Sequence, residues 1–129
     1  MSGKFLLDTN IIIALFTGDA SIQKNLALAS KVFIPVIVLG ELYYGARKSG
    51  QMEKNLARIE EFEASISVIT CDTSTARVYG LIKDQLRKKG RPIPENDIWV
   101  AAVARQKGLV LVTRDAHFFE IENLKIENW

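Results

Sequence analysis

Phe5-Leu6-Leu7-Asp8-Thr9-Asn10 joins a short apolar run to an acid and two neutral polar residues. Three consecutive apolar residues are too few for a helix and suit a buried strand. The acid behind them falls where such a strand leaves its sheet. Three further runs repeat the pattern: Val32-Phe33-Ile34, Ser67-Val68-Ile69 and Leu109-Val110-Leu111-Val112, with Leu124-Lys125-Ile126 as a weaker fifth. Between them the apolar period lengthens. Met52, Leu56, Ile59 and Phe62 mark one face of an amphipathic helix whose other face carries Glu53, Lys54, Arg58 and Glu61. Asp72 or Thr73 can cap a helix that buries Ala76, Tyr79, Ile82 and Leu86 and stops at Gly90. Asn96 can cap another, running through Ala101 and Ala102 to Gly108. Strands alternating with helices need crossover connections. The expected fold is α/β, three α/β/α layers around a mostly parallel central sheet, as one domain over residues 1–129.

Composition narrows the class. Of 129 residues, 48% are hydrophobic and 25% charged, the balance of a chain that packs a core. Seventeen Lys and Arg against fifteen Asp and Glu leave +2, too little to announce a nucleic-acid partner by net charge. One cysteine, Cys71, excludes an internal disulfide, and one histidine, His117, excludes a His-rich zinc site. Asp8, Thr9 and Asn10 interrupt the apolar stretch from Phe5 to Phe16, so neither a signal peptide nor a membrane span is expected. A cytoplasmic protein is the expectation.

Most acids here have an ordinary explanation, because Glu53, Glu60, Glu61 and Glu63 share a helix with bases. Four stand apart. Asp8 follows the first apolar run and Asp115 closely follows the fourth, so in a parallel sheet both fall at strand carboxyl ends, where such folds bind ligands. Glu41 interrupts the otherwise neutral run Val36 to Tyr44, and Asp97 begins the helix after Pro94. Taken singly, each can be a cap, a turn former or a solvated side chain. Together, converging carboxylates repel, and a divalent cation is the natural compensation. An all-oxygen set selects a hard ion, Mg²⁺ or Mn²⁺, over Zn²⁺.

The ordered set Asp8-Thr9-Asn10, Glu41 on a second helix, Asn96-Asp97 opening an Ala-rich helix, and Thr113-Arg114-Asp115 after a strand resembles the PIN-domain family, and within it the VapC-type toxins. The resemblance runs from Asp8 to the closing Glu127-Asn128-Trp129. It implies an endoribonuclease that uses Mg²⁺ or Mn²⁺, cuts RNA by metal-activated water to leave 5′-phosphate and 3′-hydroxyl ends, pairs with a small antitoxin and forms a homodimer. Asp8, Glu41, Asp97 and Asp115 match the family's catalytic and metal-binding acids; one or two ions could serve, and in a two-ion version Asp8, at the centre of the expected crevice, is the expected bridging ligand. Some members carry Asn at the last of these positions. Thr9, Asn10, Asn96 and Thr113 match polar positions that orient the carboxylates. Trp99 stands where many members have a smaller residue.

Substrate held near an acidic pocket needs bases at the rim. Arg47, Lys48 and Arg114 are the candidates, whereas Arg87, Lys88, Lys89 and Arg91 read as a solvated helix end. Tyr43 and Tyr44 read as core or subunit-interface residues, with the helices around Tyr43 and Leu56 as the expected interface. His117 reads as part of a surface turn, and Cys71 as a buried small residue. Other readings divide on one feature each. Aspartate-based phosphatases resemble Asp-x-Asp at the first strand end, where this chain has Asn10. A processing nuclease outside a toxin-antitoxin pair would share the acids, and a non-catalytic RNA- or protein-binding scaffold would be expected to have lost some.

Overall fold

The computed structural model describes residues 3–129. Five strands, β1 (Lys4–Leu7), β2 (Lys31–Pro35), β3 (Ser67–Ile69), β4 (Val110–Val112) and β5 (Ile126–Glu127), form one sheet in the order β3-β2-β1-β4-β5. Every pairing is parallel. Six helices accompany it: α1 (Thr9–Phe16), α2 (Ala20–Leu28), α3 (Val36–Arg47), α4 (Met52–Ser65), α5 (Thr73–Lys89) and α6 (Glu95–Lys107). The expected α/β class holds, with the sheet wholly rather than mostly parallel.

The central strand explains where a site can form. From β1 the chain passes to β2 on one side, and only later returns to β4 on the other, so β1 and β4 lie side by side with connections leaving in opposite directions. A parallel sheet opens a crevice at such a point, beyond the strands' carboxyl ends. Leu7 is in register with Val112, and the Asp8 amide donates to the Val112 carbonyl at 3.0 Å. The residues that follow the two strands therefore leave the sheet together.

Burial supplies the clamp. Phe5, Leu6, Leu7, Leu111 and Val112 are essentially inaccessible, and Trp129 packs on Phe5 with ring centroids 5.1 Å apart. Val100 to Ala104 are all buried, so α6 is apolar all round and its small side chains let it pack deep inside the fold. Truncating a core Leu such as Leu6 to Ala costs about 2–5 kcal/mol in such settings, a large part of a domain's net stability.

Local chemistry corrects several expectations. Glu41 lies on the third helix, not the second, because the segment after Asp8 breaks at Gly18, whose φ of +84° suits glycine, and restarts when Asp19 accepts from the Ile22 amide at 3.1 Å. Asn96 is not a helix cap. Pro94 holds that position, its carbonyl accepting from the Asp97 and Ile98 amides, so Asn96 and Asp97 sit in the first turn. On α5, Asp72 is the cap, in a reciprocal capping box with Thr75. The Thr75 hydroxyl also meets Gln106 of α6, which turns the buried stripe onto Thr75, Ile82 and Leu86 and leaves Ala76 exposed. Met52 is exposed at the start of α4, where Ile59 carries the burial. The fifth strand pairs through Ile126 and Glu127, two residues beyond Leu124, and Cys71 is half-buried.

Candidate active site

Asp8 is the most buried of the candidate acids, 4% exposed. It caps α1: one carboxylate oxygen accepts from the Thr9 amide at 2.8 Å, the other from the Thr113 hydroxyl at 2.8 Å and the Asn10 amide nitrogen at 3.3 Å. Thr113, itself buried immediately after β4, also accepts from the Asp115 amide at 3.0 Å. Asn10 bridges the same elements, its oxygen accepting from the Arg114 amide at 3.2 Å. Thr9, Asn10 and Thr113 thus each hydrogen-bond to Asp8, and Thr113 also to the Asp115 amide. Asn96 does not: it is exposed and lines a shallow hollow with Val36, Gly40, Glu41 and Tyr44.

Glu41 comes from α3, held by the Thr9 hydroxyl at 3.1 Å. Asp97 comes from the first turn of α6. Asp115 caps a short 3-10 helix, Ala116–Glu120, accepting from the His117 amide at 2.9 Å. The His117 ring then lies between two acids, with Nδ1 at 3.1 Å from Asp115 Oδ1 and 3.4 Å from Asp97 Oδ2. Asp97, Asp115 and His117 each offer a ligand atom, all within 4.8 Å of one another. Glu41 and the heavily hydrogen-bonded Asp8 stand outside that tight group, and His117, exposed in a surface turn as expected, stands inside it. The signal for His117 was present as Asp115-x-His117, since a capping acid fixes the residue two places on.

The electrostatics show strain that a cation would relieve. Burial, and then the neighbouring Asp8 and Asp115 charges, push the Asp97 carboxyl up to about 6. Burial raises Asp8 as well, against the hydrogen bonds from Thr113 and Thr9 and with Asp115 adding repulsion. Glu41 is raised by burial and by Asp8, opposed by the Thr9 bond. Among the described residues no Lys or Arg is paired with Asp8, Glu41, Asp97 or Asp115. Oxygen-rich, mutually repelling donors without a resident Lys or Arg fit a hard divalent cation.

The rim differs from expectation. Arg114 is occupied: its guanidinium bonds Asp19 at 3.0 Å and the Trp129 carbonyl oxygen at 2.7 Å, and it holds the Asp19 carboxyl below its usual range. Its role in the fold is to tie the segment after β4 to the α2 cap. Arg47 lies about 9 Å along α3 from Glu41 and well round its circumference, whereas Lys48 returns to the Glu41 side. The Lys48 ammonium sits 4.9 Å over the Tyr44 ring. Arg87 and Lys88 pair with Asp84, and Lys89 bonds the Glu120 carbonyl, as a solvated helix end would. Tyr43 is half-buried and donates to Glu63 at 2.6 Å, which pushes its own hydroxyl up to about 12. Tyr44 is 66% exposed. Trp99 stacks on Tyr79 at 4.1 Å, so the larger side chain has a platform.

Between α1, α3 and α4 runs an apolar groove of about 320 Å³, lined by Ile13, Phe16, Leu42 and Ile59, with Glu41 and Arg58 also at its wall. Arg58 had read as part of a solvated face; it lies over the Phe16 ring at 5.5 Å and donates to the Phe16 carbonyl at 3.2 Å.

Comparison with known proteins agrees with this geometry. The family model described as PIN domain matches residues 5–124. The chain is 39% identical to Ribonuclease VapC2 of Haemophilus influenzae and 40% identical to the tRNA(fMet)-specific endonuclease VapC of Shigella flexneri, in each case over 98% of both chains. Among solved structures, DNA-bound VapBC from Salmonella typhimurium matches with a TM-score of 0.92 and 38% identity over 98% of both chains. VapBC2 from Rickettsia felis, bound to a DNA fragment from its promoter, matches at 0.91 and 32%, covering 100% of this chain and 99% of that one. The likeness spans the sheet, the crevice and every candidate acid, and the chain belongs to the PIN domain family, among the VapC ribonucleases.

Proposed function

We propose that this chain, as a single nuclease domain over residues 1–129, is a Mg²⁺- or Mn²⁺-dependent endoribonuclease acting as the toxin of a toxin-antitoxin pair in the cytoplasm. The observation that carries the reading is the crevice beyond β1 and β4, where Asp8, Glu41, Asp97 and Asp115 gather with no Lys or Arg paired to them among the described residues, and where burial and mutual repulsion raise Asp8, Glu41 and Asp97. Ordinary structural acids are paired or solvated. Acids kept in mutual repulsion are common where chemistry needs them.

In this reading Asp97 and Asp115, whose ligand atoms approach closely, would hold the cation together with Glu41 and with Asp8, the last fixed by Thr113, Asn10 and the Thr9 amide. A bound divalent cation supplies Lewis-acid chemistry, lowering the pKa of water and offsetting phosphoryl charge. Thr9 keeps Glu41 aimed inward, and Thr113 keeps Asp8 and the Asp115 backbone in register. Lys48 is the better placed of the rim bases for a substrate phosphate. The sole histidine offers no pair for an acid-base mechanism through the RNA's 2′-hydroxyl.

For the partner, the groove between α1, α3 and α4 suits an apolar segment of the antitoxin, ending beside Glu41. A second copy would use the exposed Tyr44 and Val36 of α3, with the hollow between them. That moves the expected dimer face from Tyr43, which is tied to Glu63, to its neighbour. The test is to incubate antitoxin-free protein with total cellular RNA and Mg²⁺ or Mn²⁺. Discrete cuts abolished by EDTA support the proposal; cutting that survives EDTA overturns it.

A further inference from the structure

We propose that His117 is itself a metal ligand in the acidic crevice, giving a mixed nitrogen and oxygen donor set that favours Mn²⁺ over Mg²⁺. The inference rests on the reading that the crevice holds a divalent cation, and goes beyond its acids.

Three observations carry it. His117 Nδ1 stands 3.1 Å from Asp115 Oδ1 and 3.4 Å from Asp97 Oδ2. Adjacent donors around an octahedral ion with bonds of about 2.1 Å are separated by about 3 Å, so these distances match the edges of one coordination shell. Second, the ring is placed by the backbone. The His117 amide donates to Asp115, and Phe118, 0% exposed, anchors the same 3-10 turn in the core. Third, the tight group draws on two separate elements, Asp97 from α6 and Asp115 with His117 from the turn after β4, so donors from two elements distant in sequence meet at one point.

Donor chemistry gives the consequence. Imidazole nitrogen is a softer donor than carboxylate oxygen; Mg²⁺ prefers oxygen and retains its waters, whereas Mn²⁺, though the weakest binder of the first-row transition series, accepts nitrogen more readily than Mg²⁺ does. The histidine therefore sets the choice of ion.

The chain has one histidine, which makes the test specific. Tag-free full-length protein, labelled with ¹⁵N only in histidine, is loaded with Mn²⁺ and studied by pulsed electron paramagnetic resonance, beside unlabelled protein and His117→Gln. A directly coordinated nitrogen whose coupling changes with the label and disappears in the variant is the expected result. Mn²⁺ affinity should fall roughly tenfold in His117→Gln while Mg²⁺ affinity stays within about twofold. Circular dichroism and thermal unfolding confirm that the variant is folded, as the 54% exposed side chain leads one to expect. Bound Mn²⁺ without nitrogen coupling overturns the role of His117 and leaves the acidic metal site standing. Failure of the folded wild type to bind Mn²⁺ overturns both.

Discussion

Replacing Asp97 by Asn should stabilise the metal-free protein while removing its activity. On folding, the Asp97 carboxyl rises from 3.8 to about 6, chiefly through burial and the charges of Asp8 and Asp115. The sign follows from linkage: the folded state binds this proton more tightly than the unfolded state does. Below about pH 4 both states are protonated and the group contributes nothing. From pH 4 to 6 stability falls as pH rises, and above 6 the ionised acid destabilises the fold by its full amount. At ~1.36 kcal/mol per pH unit the ceiling is about 3 kcal/mol. The Asp97 side chain is 15% exposed, so solvent screening trims this only moderately, and about 2–3 kcal/mol is expected. Asn keeps the size and can still accept from His117 without the charge. Urea denaturation in EDTA should show Asp97→Asn more stable by that amount at pH 7.5, equivalent to roughly 5–10 °C in Tm, with the gap closing near pH 4. Added Mn²⁺ should stabilise the wild type and not the variant. An Asn variant no more stable than wild type at pH 7.5, or a gap that does not change with pH, would refute the electrostatic reasoning.

Thr113→Val removes the buried hydroxyl that donates to Asp8 and accepts from the Asp115 amide, and should cost about 1–3 kcal/mol in urea denaturation. Thr9→Val frees Glu41 with little change to the fold; RNA cleavage should fall about 10–100-fold at unchanged Tm, as for other residues that orient ligands. Arg114→Ala should lower stability only slightly, since its partner Asp19 is solvent-accessible, and should leave the salt dependence of RNA binding unaltered. Lys48→Ala, by contrast, should reduce that salt slope by about one phosphate contact, measured by filter binding of catalytically inactive Asp97→Asn protein.

Much of this was legible in the residues. Phe5-Leu6-Leu7 and Leu109 to Val112 read as strands because an apolar run of three or four residues is too short for a helix, and an acid behind each run marks the carboxyl edge of a parallel sheet. Gly90 and Gly108 read as helix ends and adopt the left-handed conformation that favours glycine there. What escaped were choices made by tertiary contact. Thr75 turned α5 only because Gln106 awaits it on α6, and Arg114 looked free because Asp19 is remote in sequence. Pro94 outcompeted Asn96 as the helix start because its carbonyl was already placed to accept two amides. His117 read as turn because the spacing to Asp115 was visible, whereas the approach of Asp97 from another helix was not.

The central claim is that this crevice hydrolyses RNA with water. The most direct test is to run the cleavage with Mn²⁺ or Mg²⁺ in ¹⁸O-enriched water, with Asp97→Asn as control, and to analyse both new ends by mass spectrometry. Attack by water on phosphorus with rupture of the P–O3′ bond predicts a 5′-phosphate carrying one ¹⁸O and a 3′-hydroxyl carrying none, with both products missing in the variant. A 5′-hydroxyl opposite a 2′,3′-cyclic phosphate, or label-free 5′-phosphate, would contradict it.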